Sequence, residues 1–189
     1  MLKTLFSFLL LTLFISCSKE TEVQHIVKYN EEDFKLNQGV LLYKNLPLTG
    51  KLTKVDRSSG LNFESEYSKG KKNGEETVKY KNGNLYEKRY YKSGTKIGLH
   101  KGWWENGQQK FEYYFNNSGE YNGSVKEWYS NGQLFKFFNY RNGKEIGSQK
   151  MWQSNGKIRA NYVAKDGERF GLIGLKKCYT VNIKDEKIK

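Results

Sequence analysis

The sequence predicts an all-β protein, an elongated antiparallel sheet of stacked β-hairpin repeats with a period of about 24 residues, and three observations predict it. First, Gly74, Gly98, Gly123 and Gly147 recur at separations of 24, 25 and 24 residues, each followed nine positions later by Gly83, Gly107, Gly132 or Gly156. Second, the residue before that second glycine is always asparagine, Asn82, Asn106, Asn131 and Asn155. Asn-Gly between alternating apolar and polar residues is the strongest short hairpin signal. Third, the runs on either side are short and rich in aromatic and branched residues, and no long stretch of the body repeats at helical period.

In chain order, residues 1–17 read as a leader outside the fold: Lys3 supplies a positive start, and 5–15 is an apolar run too short to span a bilayer comfortably. Residues 18–33 carry Glu20, Glu22, Glu31, Glu32 and Asp33 without a period, which predicts a polar tether. The repeat domain is expected over 34–189. It opens on an irregular unit, 39–44 leading into 46–51, and a degenerate one from Gly50 that turns at Ser59-Gly60. Four regular units start at Gly74. Their strands are expected over 101–104, 126–129 and 150–152 before the turn, and over 85–91, 110–115, 134–140 and 158–163 after it. A type I′ turn, with positive φ at both residues, is the expected reversal at each Asn-Gly. A further glycine follows at Gly94, Gly119, Gly143 and Gly167.

Equivalent rings fall in rows, Trp103, Trp128 and Trp152 in one and Tyr91, Phe115 and Tyr140 in another. A lone hairpin is marginal in water, so neighbouring units must cover each other's rings, and the tryptophan row is first of all a packing seam. With strands about 4.8 Å apart, ten of them would extend roughly 45 Å. Beyond Gly171 the pattern lacks its Asn-Gly. That predicts an atypical terminal unit, with Leu172, Ile173, Leu175 and Tyr179 covering the last hairpin and Cys178 a small buried residue.

Composition agrees with a thin sheet: hydrophobic residues make up only 37%, yet 14 Tyr and 11 Phe supply large buried areas with wet edges. The formal charge is +13, and lysines alternate with aromatics as they do on solvated faces and guarded sheet edges. Such a field also attracts acidic partners.

Phe14-Ile15-Ser16-Cys17 resembles a bacterial lipobox, although Phe14 stands where Leu is usual. The resemblance implies that Cys17 is lipidated and the chain held at the cell envelope, with Ser18 favouring the outer membrane. The repeats resemble the MORN-repeat variant family, YwqK-type antitoxin components, whose units read Gly-x-x-x-x-Trp-Tyr-x-Asn-Gly. Gly123, Trp128, Tyr129, Asn131 and Gly132 match, and Gly98, Trp103, Trp104, Asn106 and Gly107 nearly do; Gln153 departs in the last unit. The resemblance spans about 39–167 and implies stacked hairpins and a protein partner of the antitoxin or immunity kind.

Residue patterns offer no chemistry, so neither an enzyme nor a cofactor or metal is expected. His25 and His100 lack ligand spacing and read as surface residues, and Glu75 and Glu76, adjacent on a strand, point to opposite faces. No Gly-x-Ser-x-Gly elbow or phosphate cradle occurs. The candidate binding surface is Trp103, Trp104, Trp128, Tyr129 and Trp152 with the neighbouring lysines. The expected function is a lipid-anchored interaction module for a protein, and the alternative is binding of anionic glycan or phospholipid. Nucleic acid, which such a stacking platform also suits, is disfavoured by the leader.

Overall fold

The structure is a computed structural model and describes residues 26–174. Cys17, His25 and Cys178, with the leader and the last part of the terminal unit, lie outside the described residues. What is described is all-β. The strands are β1 Ile26–Lys28, β2 Phe34–Asn37, β3 Val40–Tyr43, β4 Leu46–Pro47, β5 Gly50–Asp56, β6 Leu61–Ser68, β7 Lys71–Lys79, β8 Leu85–Lys92 and β9 Thr95–Lys96. They continue with β10 Gly98–Trp103, β11 Gln109–Phe115, β12 Tyr121–Trp128, β13 Leu134–Arg141, β14 Lys144–Glu145, β15 Gly147–Trp152, β16 Ile158–Lys165 and β17 Glu168–Leu172.

Fourteen strands form one sheet in the order β1-β5-β6-β7-β8-β10-β11-β12-β13-β15-β16-β17, with β9 on β8 and β14 on β13. Apart from the parallel pair β1–β5, neighbours run antiparallel, as serial hairpins require. A separate three-stranded sheet, β2-β3-β4, holds Pro47 on its edge strand, where a missing N–H breaks no ladder.

The turns are of two kinds, and the four Asn-Gly reversals all lie at one border of the sheet. At Asn82-Gly83 and its equivalents only the glycine has positive φ, 88° at Gly83 and 83° at Gly132. Gly83 donates to the Tyr80 carbonyl at 2.9 Å, and Tyr80 N–H donates to Asn84 O at 2.8 Å. This is a type I turn closed by a glycine bulge, not the expected type I′. Its cause is the asparagine side chain: Asn82 Oδ1 accepts the Asn84 N–H at 3.0 Å, and Asn106, Asn131 and Asn155 repeat the bond. The type I′ geometry occurs at the opposite border, where Ser93-Gly94 and Asn142-Gly143 have positive φ at both positions. A register shift follows each bulged turn, just before Lys79, Trp103, Trp128 and Trp152.

Alternation along the strands separates an inner, buried face from an outer one. On the inner face Val125, Phe138, Ala160, Tyr162 and Ala164 form a core flanked by Tyr113, Tyr121, Tyr140 and Met151. The ring row expected there exists: Phe115 lies 4.8 Å from Tyr121, which lies 5.3 Å from Tyr140. At the other end Phe34, Leu48 and Leu52 join the small sheet to β5.

Two boundaries differ from expectation. The tether does not reach residue 33, because Val27 and Tyr29 pack on the Phe34 core and Val27 sits opposite Leu52 in the β1–β5 ladder. The alternation in Ile-Val-Lys-Tyr already carries a strand. At the C-terminal end Leu172 and Ile173 do not cover the last hairpin but are 48% and 52% exposed. Among the described residues β17 pairs with β16 only and ends the strand order.

Candidate functional surfaces

The five candidate aromatics do not share one surface. Strand alternation and the inner-facing Gly102, Glu127 and Met151 put Trp103, Trp128 and Trp152 on the outer face, all half-buried. Trp104 and Tyr129 turn to the other side, where they brace the array. Trp104 Nε1 donates to the Trp128 carbonyl at 3.1 Å, Tyr129 to Trp152 O at 3.1 Å, and Tyr80 to Trp103 O at 2.9 Å. The turn asparagines do likewise: Asn106 Nδ2 reaches Ser130 O at 2.9 Å and Asn131 Nδ2 reaches Ser154 O at 3.3 Å. Two side chains of the Gly98 unit and two of the Gly123 unit therefore grip the next unit's backbone, and this accounts for both the aromatic and the asparagine of the repeat.

Beside the tryptophans the outer face carries a second row in register: Lys88, Lys101, Glu112, Lys126, Phe137 and Lys150. Lys101 and Lys126 share Glu112, at 3.5 and 3.1 Å, while Lys88 pairs with Glu75 at 2.9 Å. Lysines thus exceed carboxylates in the row. Lys101, Lys126 and Lys150 stand on alternate strands, roughly 10 Å apart.

The inner face between β6 and β10 holds a cluster of charged side chains, whereas the core around Phe138 is built mainly from apolar ones. Glu76, 3% exposed, accepts from Ser65 Oγ at 2.7 Å and Tyr91 at 3.3 Å and pairs with Lys72. Burial opposes its charge, but Lys72, Ser65 and Arg89 outweigh that and hold it below the usual carboxylate range. Glu87, paired with Arg89, is pushed up by burial. Glu75 lies on the opposite face from Glu76, as adjacent strand residues must.

His100 is not the surface residue expected but 2% exposed, its ring 4.7 Å from Phe115. Its Nε2 lies 2.9 Å from Tyr90 O and 3.2 Å from Tyr90 N, standing in where the β8–β10 ladder is short. Gln149, two residues after its own opening glycine like His100, does the same at β13–β15. Its amide accepts from Asn139 N and donates to Asn139 O, both at 2.9 Å. Burial, with Arg89 and Lys96 nearby, keeps the imidazole pKa low, although bonds to the backbone oppose this.

Where the small sheet meets the inner face, an open groove of about 780 Å³ runs between Leu36 and Leu41 on one side and Leu52, Lys54, Tyr67 and Lys72 on the other. A smaller hollow of about 190 Å³ continues it toward Ser65 and Glu76. Burial, then Glu76 and Tyr91, push the Tyr67 phenol up to about 12, so it is a neutral donor. Sequence reading missed this groove, whose walls come from strands with no shared pattern. Comparison of the chain with protein-family models and with curated proteins gives no match.

Proposed function

We propose that this chain is a non-catalytic MORN-like interaction protein of the bacterial cell envelope, lipid-anchored through Cys17, that receives an acidic protein partner on its outer face. One observation carries the reading: Lys101, Lys126 and Lys150 stand on alternate strands beside half-buried tryptophans, with Lys88 directly opposite Lys101 and Glu112 as the carboxylate within the row. Aromatics flanked by cations suit the buried centre and charged rim of a protein interface. An antitoxin or immunity role follows from the repeat resemblance alone. A pull-down from membranes is expected to recover one specific protein with the native chain and to lose it with Lys101→Glu, Lys126→Glu and Lys150→Glu together. Recovery unchanged by that triple variant sinks the reading. Labelled palmitate entering the native chain but not Cys17→Ala tests the anchor.

The regular lysine spacing also favours a second reading, an anionic glycan or phospholipid as ligand. In that case binding to purified envelope glycan or anionic vesicles falls steeply with salt and drops after Trp103→Ala with Trp128→Ala.

A further inference from the structure

We propose that the groove beside β2 is a second recognition site, for an extended acidic peptide segment that adds to the free edge of β2. Three independent features converge on it. The first is an unsatisfied strand edge. The two-residue turn at Gln38-Gly39 makes Asn37–Val40 and Lys35–Leu42 the hydrogen-bonded pairs of the β2–β3 hairpin. Leu36 faces Leu41 in a non-bonded pair, and the Leu41 N–H goes instead to Gly70 O at 2.8 Å. The Leu36 N–H and C=O therefore point away from β3, and among the described residues β2 has no other neighbour in its sheet.

The second feature is charge. The groove lining holds Lys54, Lys71 and Lys72 and no carboxylate. Lys72 is committed to Glu76, but among the described residues neither Lys54 nor Lys71 forms an ion pair. Lys54 instead rests over the Tyr29 ring, its Nζ 4.5 Å from the centroid. The third is apolar surface with nothing on it: Leu36 is 71% exposed at the rim of the groove.

A strand laid on β2 would hydrogen-bond to Leu36 and drop alternate side chains into the groove. An apolar residue there would cover Leu36, and glutamates two residues to either side would meet the free lysines. Small anions alone would gain the charge contact but not the backbone pairing. The site does not rest on the reading of the outer face, which uses other strands and the opposite side of the sheet.

The test uses the full chain and a fluorescein-labelled nonapeptide, Thr-Ser-Glu-Thr-Val-Thr-Glu-Ser-Thr, whose Val and two Glu fall on one strand face, followed by anisotropy. The expected result is saturable binding that weakens roughly tenfold or more when alternate peptide amides are N-methylated. A similar loss is expected with Lys54→Glu and Lys71→Glu, and no change with Trp103→Ala. N-methylation changes only the probe, so misfolding cannot mimic its effect. Equal binding of the N-methylated peptide, equal binding to the lysine variants, equal binding of the peptide with Lys in place of both Glu, or no saturation below about 1 mM each overturns the proposal.

Discussion

The two halves of the inner face answer the same structural demand with opposite chemistry. The position two residues after each opening glycine is among the most enclosed in its unit: Glu76 is 3% exposed, His100 2%, Val125 1% and Gln149 0%. Toward the C-terminus the surroundings are Phe138, Ala160 and Tyr162; toward the N-terminus they are Ser65, Lys72, Glu87, Arg89 and Tyr91. The hairpin backbone therefore fixes that a side chain is buried here without fixing its polarity. A polar choice is tolerable only because each one is fully bonded: among the described residues no buried side-chain polar atom lacks a partner.

The largest effect expected is in the apolar half. Phe138→Ala removes the ring between Val125 and Tyr162 and should lower stability by about 3–5 kcal/mol, read from urea unfolding. Glu76→Ala, which leaves Lys72 without its carboxylate and Ser65 and Tyr91 without their acceptor, should cost about 3 kcal/mol. Converting the site toward the other half, Glu76→Leu with Lys72→Met, should return to within about 1 kcal/mol of the native chain. A double variant as unstable as the single one would show that the two halves are not interchangeable.

His100 offers a finer comparison with Gln149. A neutral ring presents either a donor or an acceptor at Nε2, whereas the Gln149 amide supplies both, so His100→Gln should raise stability by about 1 kcal/mol near neutral pH. The imidazole pKa is depressed in the folded chain, so above about 6.5 both states are neutral and the contribution is intact. As pH falls below that value the unfolded chain takes the proton first, and stability declines toward the lower folded pKa. Glu87, pushed up by burial, works the other way at lower pH, so the difference between native chain and His100→Gln isolates the histidine. The gap between the urea midpoints of His100→Gln and the native chain should therefore widen as pH falls below about 6.5; parallel curves would refute the assignment. The smallest effect expected is that of Trp104→Phe, which deletes one bond to the next unit and should cost about 1 kcal/mol in thermal unfolding.

The period, strand positions and ring rows were legible because glycine and asparagine mark places where the backbone itself is constrained. Turn type was not, since Asn-Gly suits two geometries and the choice lies in whether the asparagine oxygen captures the amide two residues on. β1 was hidden because it is three residues long and its partner β5 is distant in sequence. Among the candidate aromatics, adjacency in sequence disguised opposite faces: Trp103 and Trp104 are neighbours that serve different sides. The burial of His100 had no local signal, because its equivalents are Glu, Val and Gln. The groove was beyond reach for a further reason, as no periodic rule places the small sheet against β5.

The side-chain bonds from Tyr80, Trp104 and Tyr129 all reach forward, from an earlier unit to a later one. The array is consequently directional, like links that each hook the one ahead. Gene duplication of an interior unit would insert a hook and an eye together, so the protein can lengthen without inventing a new joint.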